Sequence, residues 1–233
     1  MNATDINILL VHGAWADGGS WNAVTLKLEQ AGFKVVCAPL PLRTLFDDIQ
    51  SVQNVIDRTK GPVVLVGHAY AGAVIGGVED NRVGLLVYVA ALAPDEGETV
   101  AEVFYRDDAH PKRPELSPDA QGDIWLPDAG FGDAFAPEAS TETLTILRAT
   151  QRPISVACIQ EKAPRPAWKK TPTWFLIAEL DRMINPQTQH FMAERMKATV
   201  RAQTVDHTPL VTAADFVADS VTEAVRTTFT ITN

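Results

Sequence analysis

The stretch GPVVLVGHAYAGAVIGG, residues 61–77, decides the fold of this 233-residue chain. Its apolar run predicts a buried strand at 63–67, which leads through a turn framed by small residues into a helix from about Tyr70. Small residues around such a turn allow a strained backbone that holds one side chain clear of the sheet edge. The position at the top of the turn is Ala69, whose methyl group carries no reactive atom.

Outward from this stretch, apolar runs of strand length alternate with segments of helical period. Helices are expected at 21–31 with Ser20 as the N-cap, at 45–56, after the cap Asn185 with Pro186 in the first turn, and over the final apolar stripe that contains Val217 and Val221. Strands are predicted at 6–12, 34–40, 63–67, 85–92, 173–180 and 199–205. The runs are apolar on both faces, so the sequence predicts an α/β fold: a mostly parallel sheet of about six strands with helices on both faces.

The alternation stops after Pro94. Residues 95–137 are rich in Pro, Asp and Gly, and two weak helices follow at 138–150 and 154–161. Because a connection of this length is too long for an ordinary loop, we interpret 95–170 as a small cap inserted into a core formed by 1–94 and 171–233. The aromatic residues of the cap form either its own small core, which is favoured for most of them, or a lid over an apolar pocket: Phe104, Tyr105, Trp125, Phe131 and Phe135.

Charge and composition limit the classes of partner that this protein is expected to bind. The net charge of −9 and the pI near 5.0 argue against a nucleic acid or an anionic membrane as the main partner, and favour a small molecule. The first apolar run is too short for a signal peptide or a membrane span, which suggests a cytoplasmic protein. Cys37 and Cys158 are expected to be buried free thiols. No nucleotide fingerprint is present, so no cofactor is expected, and a homodimer is compatible with the sequence.

Polar residues follow several of the predicted strands. Because ligands of open parallel sheets bind at the carboxyl ends of the strands, these positions are candidates for a functional site. His68, His110 and His190 lack metal-ligand spacing, so no metal is proposed. The candidate positions are 12–15 after the first strand, 67–72 after the third, Asp95 after the fourth, 179–181 after the fifth, and Asp206 with His207 after the sixth.

The segments VHGAWADGGSW (11–21) and VLVGHAYAGAVI (64–75) resemble the α/β-hydrolase superfamily, in particular its small esterase and hydroxynitrile-lyase-like branch. The resemblance implies a nucleophile–acid–histidine order along the chain. It assigns the nucleophile position to Ala69, the acid to Asp181 and the general base to His207.

The same resemblance implies an oxyanion hole. Its donors would be the backbone N–H groups of Tyr70 and Ala14, with Trp15 and His12 beside them and His12 fixing the loop. The residues alone leave alternatives to these assignments open. Asp95 or Glu179 could be the acid, Asp181 could cap a turn or pair with Arg182, and His207 could be an ordinary loop histidine.

Alanine at position 69 cannot form an acyl-enzyme, so serine-type hydrolysis should be lost or severely weakened. Two origins are compatible with the sequence: a laboratory Ser→Ala substitution, or a natural alanine, which the second departure at Ala71 favours slightly. A natural alanine leaves three function classes. His207 could activate water on a small apolar ester or lactone, it could abstract a proton in a lyase or cofactor-free enzyme, or the pocket could only bind a ligand.

Overall fold

The computed structural model describes residues 2–230 and contains a parallel sheet of six strands in the order β2-β1-β3-β4-β7-β8. Helices cover both faces, which confirms the predicted α/β class. A separate antiparallel pair, β5 with β6, lies in the segment between β4 and β7. The strands are β1 Asn7–Val11, β2 Lys34–Ala38, β3 Val63–His68, β4 Val83–Val89, β5 Asp123–Ile124, β6 Ile154–Ser155, β7 Thr173–Ala178 and β8 Thr199–Gln203.

The helices begin and end close to where the apolar periods predict them. Short 3-10 turns occur at Ala3–Asp5, Gly18–Trp21 and Ala167–Lys169, and a π-helical turn at Phe131–Phe135. The α-helices are α1 Asn22–Gln30, α2 Leu45–Ile56, α3 Ala71–Gly76, α4 Val100–Phe104, α5 Asp128–Gly130, α6 Thr141–Thr150, α7 Val156–Gln160, α8 Pro186–Arg195, α9 Pro209–Thr212 and α10 Ala214–Thr228.

Of the two predicted caps, one is confirmed and one is wrong. Asn185 caps α8 by accepting a hydrogen bond from the Gln187 N–H at 2.9 Å. Ser20 does not cap α1, because Asp17 caps a preceding 3-10 turn instead and the Ser20 hydroxyl donates to the Asp17 carbonyl at 2.7 Å. Asp17, three positions before Ser20, is also a favourable N-cap residue, and it caps the turn that precedes α1.

The core has two layers because the central strands are buried on both faces. Alternate residues of β1 separate the layers: Ile8 and Leu10 pack towards α1 and α10, whereas Leu9 and Val11 pack towards α2 and α3. This two-sided burial is the reason that the strands lack the polar alternation of a half-exposed sheet. Both cysteines are free, Cys158 buried and Cys37 partly exposed.

The segment between β4 and β7 carries α4 to α7 and the β5–β6 pair, within the predicted cap 95–170. The six-stranded sheet lies in the predicted core segments 1–94 and 171–233. Of these segments, Met1 and residues 231–233 lie outside the described residues. No helix within residues 2–230 is long and apolar enough to cross a membrane.

Strand order places the candidate site. β1 lies between β2 and β3, so the chain leaves β1 towards one edge of the sheet and later returns on the other side to form β3. Such a reversal opens a crevice at the carboxyl ends of the two strands. The register pairs Val11 with Gly67, so the loop after β1 and the turn after β3 meet in this crevice.

Candidate active site

The turn after β3 has the strained geometry that its small residues predict. Ala69 has φ = 50°, in the left-handed region that favours glycine. Its carbonyl accepts hydrogen bonds from the N–H groups of Leu92 at 2.9 Å and Gly72 at 3.1 Å, which hold the conformation. The turn leaves no room for a side chain at positions 67 and 72. A methyl group on Gly67 would lie 2.8 Å from the Ala71 carbonyl oxygen, and one on Gly72 would clash with the Leu92 carbonyl oxygen.

The loop after β1 packs directly on this turn. A methyl group on Gly13 would lie 3.0 Å from Ala69 Cβ and 3.0 Å from the His68 carbonyl oxygen, so only glycine fits there. Within residues 2–230, neither the Tyr70 N–H nor the Ala14 N–H donates a hydrogen bond. Two backbone donors close to Ala69 are therefore available to a ligand oxygen.

His12 and Trp15 hold this loop by separate contacts. His12 Nδ1 donates to the Gly13 carbonyl at 2.9 Å, and its Nε2 accepts from the Leu40 N–H at 3.3 Å, which defines one tautomer. Trp15 donates its N–H to the Arg152 carbonyl at 3.0 Å and its Nε1–H to the Ile124 carbonyl at 2.9 Å. His12 is thus a fixed structural histidine, and Trp15 ties the loop to the cap.

Asp181 and His207 lie together although 26 residues separate them in the chain. His207 Nδ1 is 2.8 Å from Asp181 Oδ2, and both side chains are almost fully buried. His207 follows β8 and packs against the rings of Phe135 and His68, with centroids 5.4 and 4.9 Å away. No hydrogen bond to His207 Nε2 comes from any described residue. The pair therefore has a free nitrogen for proton transfer.

Asp181 is held by three donors that fix its carboxylate. Oδ1 accepts the N–H groups of Met183 at 2.7 Å and Ile184 at 2.9 Å, and Oδ2 accepts Gln189 Nε2 at 2.8 Å. Gln189 is fully buried, and its Oε1 accepts the Ala178 N–H at 3.1 Å. Gln189 could not be predicted from the sequence, since only the fold brings this α8 residue under the carboxylate.

His68 lies among the candidate positions 67–72, but its partner could not be predicted from the sequence. Its Nε2 donates to the His207 carbonyl at 2.8 Å, a contact across 139 residues. Its Nδ1 is buried, and no described residue hydrogen-bonds to it. His68 therefore ties the histidine loop to β3 in a single neutral tautomer.

Two of the buried histidines, His12 and His68, make stability depend on pH. Burial lowers the pKa of His12, and burial together with the charge of His207 holds the pKa of His68 well below its usual range. Both stay neutral in the folded state, whereas the unfolded chain binds protons near its ordinary pKa of about 6.5. Their stabilisation is therefore present above that pH and is lost as the pH falls. We expect the free energy of unfolding to fall as the pH drops below about 6.5, by up to about 1.4 kcal/mol per pH unit for each histidine that stays neutral in the folded state.

Urea denaturation at several pH values measures this dependence. His68→Gln keeps a donor at the Nε2 position but cannot titrate, so the drop should be smaller than in the native chain. His110→Gln, at an exposed histidine, should leave the drop unchanged. Burial raises the pKa of Asp48 and Asp206, whose proton uptake on folding offsets part of the loss at the acidic end. Equal pH dependence in the native and His68→Gln chains would refute the assignment.

An apolar pocket opens beside these groups and encloses about 590 Å³ of empty space, part of it open to solvent. Core and cap both contribute to it, and no Asp, Glu, Lys or Arg of the described chain lines it. Its lining includes Ala14, Trp15, Ala69, Tyr70 and His207 from the crevice, Leu92, Met183 and Ile184 from other strand ends, and Val100, Ala101, Phe104, Tyr105, Leu116, Ile124, Ile154 and Ile159 from the cap.

The aromatic residues of the cap divide between buried positions, the surface and the pocket. Trp125, Phe131 and Phe135 do not line the pocket: Phe131 is buried, Phe135 is buried against Trp15 and His207, and Trp125 is 48% exposed. Phe104 and Tyr105 face the pocket instead.

The alternative acids have other partners. Asp95 pairs with Lys169, and Glu179 contacts His190. Arg182 donates to the Asp133 carbonyl at 2.9 Å rather than pairing with Asp181. Among residues 2–230, no group of three or more acidic, histidine or cysteine side chains is arranged to hold a metal ion.

Solved structures share this architecture. Polyneuridine aldehyde esterase superposes with a TM-score of 0.78 at 17% identity, covering 94% of this chain and 98% of that one. An extracellular alpha/beta-hydrolase from a Paenibacillus species gives a TM-score of 0.78 at 21% identity, with coverages of 94% and 98%. At these identities the likeness establishes the fold.

A curated relative is the carbendazim hydrolyzing esterase of Nocardioides sp. (strain SG-4G), which is 34% identical over 109 residues. The match covers 40% of this chain and spans 45% of that esterase, less than half its length. The family model described as alpha/beta hydrolase family matches residues 8–220, almost the whole chain. The chain belongs to the alpha/beta hydrolase family.

Proposed function

We propose that this protein binds a small apolar ester or lactone in the pocket beside Ala69, and that serine-type hydrolysis is lost or severely weakened in this chain. The observation that carries the proposal is the Asp181–His207 pair, 2.8 Å apart, whose histidine lines a pocket that Ala69 also lines. We infer a cytoplasmic location, for which the two free thiols are the structural support.

The chemistry of the pocket supports a neutral substrate. Its lining is aliphatic and aromatic, with His207 as the titratable group near the reaction centre. A buried anion there would lose its hydration without gaining a cation, which costs several kcal/mol. A neutral ester would lose little hydration free energy. Its carbonyl oxygen would accept hydrogen bonds from the Tyr70 and Ala14 N–H groups, which have no partner among the described residues.

With a serine at position 69, the assigned roles follow directly. His207 Nε2 would take the hydroxyl proton as oxygen attacks the ester carbonyl, and would then return the proton to the departing alcohol oxygen. Asp181 would hold the imidazole in the required tautomer and stabilise its charged form. With alanine, no acyl-enzyme forms, and loss of the nucleophile costs about a millionfold in turnover.

One observation favours a second candidate, acid–base chemistry without a covalent intermediate. His207 Nε2 has no described hydrogen-bond partner and lines the pocket, so it can accept a proton from water or from a bound substrate. Water activation would give slow hydrolysis of a reactive ester by the native chain. Proton abstraction would give lyase-type chemistry instead.

Substrate charge tests the proposed pocket. We expect Ala69→Ser to hydrolyse p-nitrophenyl hexanoate at least about 100-fold faster, as kcat/KM, than mono-p-nitrophenyl adipate, because the second ester carries a carboxylate into an uncharged pocket. Hydrolysis of both esters by hydroxide alone corrects for intrinsic reactivity. Equal kcat/KM values after that correction would contradict a neutral apolar substrate.

A further inference from the structure

A buried polar cluster lies behind the turn at Ala69, and the chemistry above does not use it. The Tyr70 hydroxyl donates to Asp48 Oδ2 at 2.7 Å, and the Cys158 Sγ lies 3.7 Å from the same oxygen. Asp48 Oδ1 accepts the Leu42 N–H at 2.7 Å. We name Asp48, Tyr70 and Cys158 the Asp48 cluster.

A packing role explains this cluster poorly. Asp48 is fully buried in the first turn of α2, and in the part of the chain that the structure describes no Lys or Arg pairs with it. Burial raises the pKa of its carboxyl and holds the pKa of Tyr70 well above its usual range. Helices can be packed by apolar side chains at lower cost than by a desolvated carboxylate. A carboxylate here is better explained by the geometry that it fixes.

The cluster fixes the residue that follows Ala69. Tyr70 is the N-cap residue of α3, and its side chain reaches α2, where the carboxylate holds its hydroxyl. That hydroxyl is therefore engaged with Asp48 rather than free for a substrate. The Tyr70 backbone N–H, in contrast, has no described partner and lies next to the pocket. Holding the ring also holds this N–H.

We propose that Asp48 is a positioning residue which, through the Tyr70 hydroxyl, fixes the peptide between Ala69 and Tyr70 so that its N–H keeps pointing at the oxyanion. The effect on catalysis rests on the proposed function. Cys158 brings cap helix α7 against the same carboxylate, so the position of α7 is coupled through Asp48 to the position of the Tyr70 N–H. Preorganised donors act on the transition state more than on bound substrate.

Kinetics in the Ala69→Ser chain test the catalytic consequence. Adding Asp48→Asn or Tyr70→Phe should lower kcat for p-nitrophenyl butyrate about 10- to 100-fold with KM changed less than about threefold. Asp47→Asn removes an exposed carboxylate on the same helix, and Tyr88→Phe removes a buried hydroxyl that has no described partner. Neither control should change kcat. A packing role would lower the melting temperature and leave kcat per folded molecule unchanged, which would overturn the proposal.

A measurement on the native chain separates this proposal from the hydrolase assignment. In ¹⁵N NMR relaxation, the Tyr70 amide should have an order parameter near about 0.85, falling below about 0.7 in Asp48→Asn and staying unchanged in Asp47→Asn. If Ala69→Ser proves inactive while this amide responds, the positioning role stands and the proposed function falls. An unchanged order parameter overturns the positioning role whatever the kinetics show.

Discussion

Replacing Ala69 with serine is expected to raise kcat for p-nitrophenyl butyrate by about 10⁴-fold or more. Removing the serine of a complete triad costs about 10⁶-fold in turnover, so restoring one to a standing triad should recover much of that factor. The surroundings favour recovery: the backbone at Ala69 is left-handed, no residue within 2–230 accepts a hydrogen bond from the Tyr70 or Ala14 N–H, and Asp181 pairs with His207. Stopped-flow or absorbance assays of p-nitrophenolate release measure the gain.

The gain depends on the direction that the new hydroxyl takes. A side chain on Gly13 would lie 3.0 Å from Ala69 Cβ, and Ala69 and His207 line the same pocket, so we expect the hydroxyl to point into that pocket. Matching circular dichroism spectra and melting temperatures of the two chains serve as the folding control. A folded Ala69→Ser protein whose kcat stays within about tenfold of the native chain would refute the triad assignment.

Replacing His207 with alanine in the Ala69→Ser chain is expected to abolish this gain, returning kcat close to that of the native chain. Members of a triad act as a unit, so losing the base costs about as much as losing all three groups. His110→Ala, at an exposed histidine, provides the matched control and should retain full activity. Retention of more than about a tenth of kcat after loss of His207 would mean that another group serves as base.

The same substitution in the native chain discriminates the second candidate. If His207 activates water directly, the slow hydrolysis by the native chain should disappear in His207→Ala. If that slow rate is unchanged, it comes from the backbone donors and binding alone, and water activation is wrong. Asp181→Asn should weaken either activity, because the amide would change the hydrogen-bonding of His207 Nδ1.

The fold was predictable because its signals are local. Continuous apolar runs in β1, β3 and β4 identify strands buried on both faces, and the small residues at 67, 71 and 72 identify the turn. Asn185 followed by Pro186 specifies a helix start in two residues, and the structure agrees. The prediction of Ser20 as the N-cap of α1 was wrong because Asp17, equally suited to capping, caps a 3-10 turn just before this helix.

The supporting residues of the site were not predictable in the same way. Asp48 meets Tyr70 across 22 residues, and His68 meets the His207 carbonyl across 139, contacts that exist only once the sheet has formed. Gln189 looks like any polar residue on a helix until α8 packs beneath Asp181. In the cap, composition identified aromatic residues, but only packing decides that Phe131 turns inward while Phe104 faces the pocket.

The central claim is that the machinery around Ala69 is complete except for a nucleophile, and covalent labelling tests it most directly. Ethyl p-nitrophenyl hexylphosphonate, a neutral diester, should react with Ala69→Ser, as the serine oxygen attacks phosphorus, His207 takes the proton and p-nitrophenolate leaves. Mass spectrometry should then find one phosphonyl adduct per chain, on the peptide that contains position 69. The native chain and the Ala69→Ser, His207→Ala chain should show none. A folded Ala69→Ser protein that stays unlabelled, or labels equally well without His207, would contradict the account.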